Sequence, residues 1–210
     1  MKPKARFNSA EAVAHLRAND EILGALIDRI GPFAMELKPG RSLFEALLQS
    51  IVYQQLNGKA AGTIHQRVLA ELERHGGATP EALERVADAA LRGAGLSRNK
   101  LLAVRDLAAK CADGTVPSLK EAHRLGDEEL VERLTEIRGI GPWTVHMLLM
   151  FYLGRPDVMP TGDFGIRLGF KKLYRKRKDP APEVLLKHAR RWRPYRSVAS
   201  WYLWRSLDGP

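Results

Sequence analysis

Asp163 is the acidic residue whose position in this 210-residue chain most suggests chemistry, because it follows the turn-forming stretch PTG at 160–162 and precedes an apolar helical segment. A carboxylate fixed in such a turn can stabilise a developing positive charge or accept a proton from water. An aspartate here also suits a helix N-cap, whose side-chain oxygen accepts from the first backbone amides. The residues alone therefore leave a catalytic role and a capping role open.

A second candidate is the segment RGIGPWT, residues 138–144, which joins the stretches DEELVERLTE and WTVHMLLMFYL, both typical of helices. Gly139 and Gly141 permit left-handed backbone angles and the close approach of another molecule. Pro142 suits the first position of the following helix, which needs no amide hydrogen. We expect the two glycine amides to bind an anion such as a phosphate, and hairpin carbonyls to hold a monovalent cation. A tight structural turn is the alternative.

The chain is strongly basic, with a net charge of +10 and an isoelectric point of about 9.9. Between residues 166 and 196 only Asp179 and Glu183 oppose twelve basic side chains. These are Arg167, Lys171, Lys172, Arg175, Lys176, Arg177, Lys178, Lys187, Arg190, Arg191, Arg193 and Arg196. Such a concentration is expected to attract a polyanion and to make binding fall steeply with salt. A merely basic soluble protein is the alternative.

The composition excludes several classes of protein. The single cysteine, Cys111, rules out an intramolecular disulfide and a cluster held by four cysteines. The six histidines have no metal-ligand spacing, so no transition-metal site is predicted. No apolar run approaches a membrane span, and the basic N-terminal segment lacks the apolar core of a secretion signal. We therefore expect an intracellular protein, cytoplasmic in a prokaryote or nuclear in a eukaryote.

Nearly every segment has the pattern of a helix, and the fold class is predicted to be all-α. Expected N-caps are Ser9, Asp20, Ser42, Thr79 and Ser97. Helices are expected over 43–56, 143–153, 164–174, 182–192 and 195–207. The helix from 143 to 153 is apolar nearly all round, which predicts that it lies buried at the centre of a bundle.

Five segments together resemble one family of proteins. They are SIVYQQLNGKAA (50–61), GLSRNK (95–100), LTEIRGIGPWT (134–144), GRPDVMPTGDFGIR (154–167) and RWRPYRSVASWYLW (191–204). The chain resembles the helix-hairpin-helix/Gly-Pro-Asp DNA glycosylase superfamily, and within it the 3-methyladenine DNA glycosylase II family of alkylation repair. It is similar to a short form that lacks the N-terminal β-rich lobe.

The resemblance implies a single glycosylase unit over 1–210, built from two helical lobes that face each other across a cleft. The middle lobe would span about 43–155 and contain the helix-hairpin-helix at 127–153. The second lobe would combine 1–42 with 156–210. A monomer suffices for the implied mechanism.

The resemblance also implies an activity: flipping an alkylated purine, such as 3-methyladenine or 7-methylguanine, out of duplex DNA and hydrolysing its N-glycosidic bond to start base excision repair. Asp163 would be the catalytic carboxylate. Trp143 stands where strand-cutting relatives carry a lysine, which implies a monofunctional enzyme. No cofactor and no iron-sulfur cluster would be required; a monovalent cation (Na⁺ or K⁺) on the hairpin carbonyls is compatible.

Further roles follow from the resemblance. The base pocket would be lined by Trp143, Phe164, Trp204, Met147 and Tyr53. The hairpin residues Arg138, Gly139, Gly141 and Thr144 would hold the DNA backbone. A wedge that fills the gap left by the flipped base would come from Gln55, with Gln54 and Leu56 as neighbouring candidates. Ordinary core packing is the alternative for the aromatic residues, above all for Trp204, because Trp192 and Trp201 share its segment.

Two other functions stay open. A non-catalytic helix-hairpin-helix module would bind DNA through the hairpin and the basic tail, but it would have no use for Asp163, which repels a polyphosphate. A glycosylase for oxidised or deaminated bases is the other alternative, and the tryptophan at position 143 argues against its strand-cutting form.

Overall fold

All the regular secondary structure is helical over the residues that the computed structural model describes, 7–38 and 42–208. The predicted all-α class is confirmed. Contacts between Cα atoms divide the described residues into two units, one comprising 7–38 and 149–208 and the other comprising 42–148. None of the described helices has the length and apolarity that a membrane span requires.

The first unit contains helices from both ends of the described chain. They are α1 (Ser9–Asn19), α2 (Glu21–Ile30), the last turn of α10 (Pro142–Phe151), α11 (Phe164–Leu173), α12 (Pro182–Ala189), the 3₁₀-helix Arg190–Trp192 and α13 (Arg196–Arg205). Its core is formed by fully buried apolar side chains that include Leu16, Leu23, Ile27, Phe170, Trp192 and Tyr202. Helices α1 and α2 therefore pack in the same core as α11 to α13.

The second unit contains the middle of the chain. It holds α3 (Leu43–Tyr53), α4 (Gly58–Glu73), α5 (Pro80–Arg85), α6 (Asp88–Gly93), α7 (Arg98–Ala112), α8 (Leu119–Ala122), α9 (Asp127–Thr135) and the first turns of α10. Helix α7 packs against both α3 and α5. The α10 prediction is confirmed, since Val145, Leu148, Leu149 and Met150 are at most 2% exposed.

Four of the five predicted capping residues stand at the start of a helix. Asp20, Ser42, Thr79 and Ser97 each accept a backbone amide at the start of a helix. The Ser9 prediction is wrong by one residue: the Asn8 side chain accepts from Ala10 and Glu11, and Ser9 is already helical.

The five helices expected over stated ranges all end before the expected residue, and two of them end three residues early. The helix expected over 43–56 stops at Tyr53, and the one expected over 182–192 becomes a 3₁₀-helix after Ala189. In the first, the next residues form a loop in which Gln55 has a left-handed φ of 56°. Apolar periodicity alone did not mark either end.

The carboxylate of Asp20 fastens the first unit together. It is 5% exposed, caps α2 through Leu23, and its Oδ2 accepts from the Tyr174 hydroxyl at 2.7 Å and the Trp192 indole at 2.9 Å, with the His188 ring at 3.1 Å. Burial alone would raise the pKa of this carboxyl, but the hydrogen bonds from His188, Tyr174 and Trp192 hold the pKa well below its usual range. One ionised side chain thus links α2 to α11, α12 and the 3₁₀-helix.

Replacing Asp20 by asparagine is expected to lower the free energy of unfolding by about 2–4 kcal/mol, because the new amide can still cap α2 but cannot satisfy all the donors around Oδ2. The pKa of Asp20 is lower in the folded chain than the unfolded value of about 3.9. Its stabilisation is therefore complete above that value and is lost as the pH falls below it. Denaturant titrations over this range should show a shallower acid dependence in Asp20→Asn than in wild type. Asp28→Asn, at an exposed site, is the control, and parallel curves for wild type and Asp20→Asn would contradict the assignment.

Candidate functional site

Asp163 is held by two donors on one oxygen. The residue is 9% exposed, and its Oδ1 accepts from the Ile166 amide at 2.8 Å and from the Trp204 indole Nε1 at 2.8 Å. Its own amide donates to the Pro160 carbonyl, which closes the Gly/Pro turn at 3.0 Å. The capping role is therefore present, and the second bond, to Trp204 on α13, goes beyond what a cap requires.

Two glycines of α11 allow α13 to approach this carboxylate. A Cβ atom at Gly165 would lie 2.9 Å from Cδ1 of Trp204, and one at Gly169 would lie 2.4 Å from the Leu203 carbonyl oxygen. No side chain could be added at Gly169 without moving the backbone of α13. The two glycines are spaced four residues apart on one helix face, a signal that the sequence carried but that our sequence analysis missed.

The three tryptophans of the C-terminal segment have different surroundings. Trp192 is fully buried and donates to Asp20, and Trp201 packs edge-on against Phe33 at 5.1 Å between ring centroids. Trp204 instead stacks on Phe151 at 5.8 Å while it bonds Asp163. Among these three, Trp204 is the one that the structure brings to the carboxylate. Nothing in the local sequence pointed to Phe151.

Phe164, the residue after Asp163, is 73% exposed. Such exposure of a large aromatic ring is not explained by core packing, because the ring buries little apolar area. A buried carboxylate and an accessible aromatic face thus adjoin each other in sequence at the start of α11. This part of the first unit could hold a planar, electron-poor ligand by stacking.

The hairpin between α9 and α10 lies in the second unit. Gly139 has the predicted left-handed φ, at 80°, whereas Gly141 does not have a positive φ. A Cβ atom at Gly141 would meet nothing within 4 Å. The expectation of left-handed angles is therefore correct only for Gly139. At Gly141 the chain itself leaves open space, which suits the approach of another molecule.

The hairpin amides fall into two groups, those that donate a hydrogen bond within the chain and those that remain available to a ligand. The Arg138 amide donates to Asp106 Oδ2 at 2.7 Å, and the Ile140 amide donates to the Ile137 carbonyl at 3.0 Å. Within the described residues, the amides of Gly139 and Gly141 donate no hydrogen bond to the chain. These two amides are the ones that the sequence assigned to an anion. Asp106, which orients the hairpin, carried no signal in the sequence.

The other two hairpin candidates differ from each other. Thr144 is 7% exposed, and its amide donates to the Gly141 carbonyl at 3.0 Å. Its position makes it a helix-start residue of α10 rather than a surface group. The Arg138 side chain is exposed.

The three wedge candidates occupy the loop after α3, and their contacts differ. Gln54 Nε2 donates to the Gly139 carbonyl at 2.8 Å, so its side chain is bonded to the hairpin. Gln55 is exposed, with a φ of 56° that a non-glycine residue rarely adopts. Leu56 is 40% exposed. The loop thus presents Gln55 and Leu56 outward while Gln54 anchors it.

The remaining pocket candidates of this unit are partly exposed. Trp143 is 49% exposed and Tyr53 is 36% exposed. The Tyr53 ring packs edge-on against His65 at 5.9 Å, and burial lowers the pKa of that histidine. Met147 is half-buried. Trp143 and Tyr53 therefore both keep part of their aromatic surface accessible to solvent.

Other reactive side chains offer less. Burial raises the pKa of the Cys111 thiol to about 12, so little thiolate exists at neutral pH. No group of three or more His, Cys, Asp or Glu side chains within the described ranges is arranged to hold a metal ion.

In this chain a glycine hairpin between two helices is followed by an aspartate that caps the next helix from a Gly/Pro turn. Residues 48–194 match the family described as HhH-GPD superfamily base excision DNA repair protein. The chain belongs to this family, and the resemblance read from its motifs is confirmed.

Several relatives have similar sequences and structures. DNA-3-methyladenine glycosylase 1 of Schizosaccharomyces pombe is 38% identical over 201 residues, which cover 93% of this chain and 86% of that protein. The putative DNA-3-methyladenine glycosylase YfjP of Bacillus subtilis is 37% identical and is covered over 60% of its length, against 80% of this chain. A structure of 3-methyladenine DNA glycosylase from S. pombe in complex with abasic DNA has a TM-score of 0.80 at 38% identity, covering 93% of this chain and 95% of that one. DNA-3-methyladenine glycosidase of Bacillus halodurans has a TM-score of 0.85 at 36% identity, covering 98% and 92%.

Replacing Gln54 by methionine should loosen the hairpin, because a side chain of similar length loses the donor to the Gly139 carbonyl. The expected loss in the free energy of unfolding is about 1 kcal/mol. Amide hydrogen exchange at Ile140, whose amide donates to the Ile137 carbonyl, should become faster when measured by NMR. Gln55→Met is the matched control, since no described hydrogen bond involves that side chain. Equal exchange rates in the two variants would refute the anchoring role of Gln54.

Proposed function

We propose that this chain is a monofunctional DNA glycosylase that releases alkylated purines, of the 3-methyladenine and 7-methylguanine type, from duplex DNA. The observation that carries the proposal is the buried Asp163 carboxylate, fixed by Ile166 and Trp204 beside an exposed Phe164. Membership of a base excision repair family and the names of the similar proteins support the same activity.

The proposed reaction breaks the bond between the damaged base and C1′ of its deoxyribose. An alkylated purine carries positive charge, so it departs with the bonding electrons and without an added proton. The sugar becomes an oxocarbenium-like cation, which the Asp163 carboxylate stabilises. Water then adds to C1′ and its proton passes to Asp163 or to solvent, leaving an abasic site. Two donors on Oδ1 keep the carboxylate oriented during these steps.

The base must leave the duplex before this chemistry. Phe164, next to Asp163, offers an accessible aromatic face that attracts a cationic base and stacks on it. Within the second unit, Trp143 and Tyr53 also present accessible aromatic faces. Trp204 contributes through its bond to Asp163, and Met147 borders Trp143 one turn along α10. Gln55 and Leu56 fill the space left by the base, since Gln54 is engaged with the hairpin.

The DNA backbone is held at the hairpin. The Gly139 and Gly141 amides bind one phosphate at the start of α10, where the helix dipole favours negative charge, and Arg138 adds a positive side chain. Thr144 supports the turn rather than the phosphate, because its amide is bonded to Gly141. The partner is duplex DNA inside the cell, and a monomer suffices.

We also propose that the enzyme does not cut the DNA strand and that its hairpin holds a monovalent cation. Trp143 cannot form a Schiff base with the opened sugar, so the strand stays intact after base release. A monovalent cation fits the hairpin carbonyls, because the Gly139 and Ile137 oxygens each accept one described hydrogen bond and a carbonyl oxygen has two lone pairs. Such a cation would stiffen the hairpin. No other cofactor is required.

Replacing Asp163 by asparagine should lower single-turnover base release from methylated duplex by at least ~100-fold, while affinity for the DNA is kept. Asparagine retains an oxygen for Ile166 and Trp204, so the fold should survive, and circular dichroism checks this. Asp208→Asn, exposed and on the same unit, is the charge-matched control. With wild type, strand breaks should appear only after alkali. Release near the wild-type rate by Asp163→Asn, or breaks without alkali, would contradict the proposal.

Trp204→Phe keeps an aromatic ring on Phe151 but removes the donor to Asp163 Oδ1. Base release at saturating DNA should fall roughly 10-fold, since a carboxylate that can rotate stabilises the sugar cation less well. The concentration giving half-maximal rate should change little. Trp201→Phe, one turn earlier on α13, is the control and should retain the wild-type rate. A Trp204→Phe enzyme with unchanged kcat would rule out a positioning role for the indole.

A further inference from the structure

The end of α11 and the start of the C-terminal helices expose a group of positive charges without counter-ions. We call the eight side chains the C-terminal basic surface: Lys172, Arg175, Lys176, Arg177, Lys178, Lys187, Arg190 and Arg191. All eight are exposed, and none takes part in a described ion pair or side-chain hydrogen bond. By contrast, the neighbouring Lys171 is paired with Asp179 at 2.8 Å.

The C-terminal basic surface is formed by two segments, residues 172–178 and 187–191, and the fold packs these segments against each other. The Tyr174 ring packs on His188 at 4.3 Å between ring centroids, and His188 also contacts Phe170 at 4.9 Å. Asp20 accepts from Tyr174, His188 and Trp192, which lie within or beside both segments. The segments that carry the charges are thus held by ring packing and hydrogen bonds.

Such a surface stores electrostatic repulsion. Glu183 is the exposed acid in the same stretch outside the Lys171 pair, and Asp20 is buried. Like charges held close together destabilise the folded state, and a polyanion that binds them relieves this repulsion. A row of phosphates, with a negative charge at regular short intervals, matches a cluster of this kind.

Arg175 provides a second, independent observation. It has a φ of 50° at the end of α11, where the Lys176 amide donates to the Lys171 carbonyl at 2.9 Å and the Arg175 amide donates to the Lys172 carbonyl at 3.3 Å. This is the helix-ending motif in which glycine is normal, because a Cβ atom is sterically disfavoured in the left-handed region. An arginine at this position contributes charge where stability would favour glycine.

We infer that the C-terminal basic surface is a second phosphate-binding surface, which holds the backbone of duplex DNA regardless of sequence or damage. The inference rests on the proposed function, because it takes DNA as the partner. It differs from the hairpin site in chemistry. The hairpin offers backbone amides to one phosphate, whereas this surface offers positively charged side chains to several phosphates. Its contribution to affinity is therefore the more salt-dependent one.

Arg175→Gly tests both observations at once, because its two effects have opposite signs. Glycine relieves the left-handed strain, so the melting temperature should rise, while affinity for undamaged duplex should fall. Arg175→Lys keeps the charge and the strain, so both quantities should stay near wild type. An Arg175→Gly protein with unchanged affinity would overturn the role of this side chain in DNA binding.

A triple variant tests the surface as a whole. Lys176→Gln, Arg177→Gln and Lys178→Gln together should weaken binding of undamaged duplex at least ~10-fold and reduce the slope of log affinity against log salt by about 2–3. Arg74→Gln, Lys120→Gln and Arg124→Gln together change the net charge equally on exposed positions of the second unit, and they should have a much smaller effect. Equal losses in the two triple variants, or none in the first, would refute the inference.

Base release separates this inference from the proposed function. At saturating enzyme, single-turnover release from methylated duplex should be unchanged in the first triple variant, because none of its residues contacts Asp163. A wild-type protein that releases no base, but whose DNA affinity depends on the basic surface as described, would end the glycosylase proposal and leave this inference standing.

Discussion

The proposed chemistry depends on the two hydrogen bonds that Asp163 Oδ1 accepts, one from α11 and one from α13. One donor, the Ile166 amide, is local and would form at any helix that begins with aspartate. The other, the Trp204 indole, comes from a helix 41 residues further along the chain. It can reach Asp163 only because Gly165 and Gly169 remove the side chains between the helices. Helix capping and tertiary packing therefore fix one carboxylate together, and this leaves it little rotational freedom.

The hairpin of the second unit is held in a comparable way, by contacts that leave two of its backbone amides without an acceptor among the described residues. Asp106 accepts a hydrogen bond from the Arg138 amide, and Gln54 donates one to the Gly139 carbonyl. The amides of Gly139 and Gly141 donate to no acceptor among the described residues. Because Gln54 belongs to the loop that presents Gln55 and Leu56, a shift of that loop would be felt at the hairpin. The proposed phosphate site and the proposed wedge are thus linked by one hydrogen bond within the second unit.

The sequence predicted the parts of this arrangement whose causes are local. The glycine hairpin, the aspartate after a Gly/Pro turn and the caps at Asp20, Ser42, Thr79 and Ser97 each depend on a few adjacent residues. The sequence could not separate Trp204 from Trp192 and Trp201, because helical spacing is the same for a core ring and a functional one. Gln54 and Gly139 are 85 residues apart, so their bond had no local signature. The Ser9 cap failed because Asn8, an equally good acceptor, stands one residue earlier.

The network around Asp20 also bears on how the chain is made. Asp20 is separated from Trp192 by 172 residues, and the first unit is built from the two ends of the described chain. During synthesis, α1 and α2 emerge long before the helices that cover their apolar faces, whereas the second unit is contiguous and can fold as soon as it leaves the ribosome. The buried faces of Leu23 and Ile27 stay exposed throughout that interval. A nascent chain stalled before α11 would therefore expose the apolar faces of an amino-terminal helix pair that still lacks its packing partners.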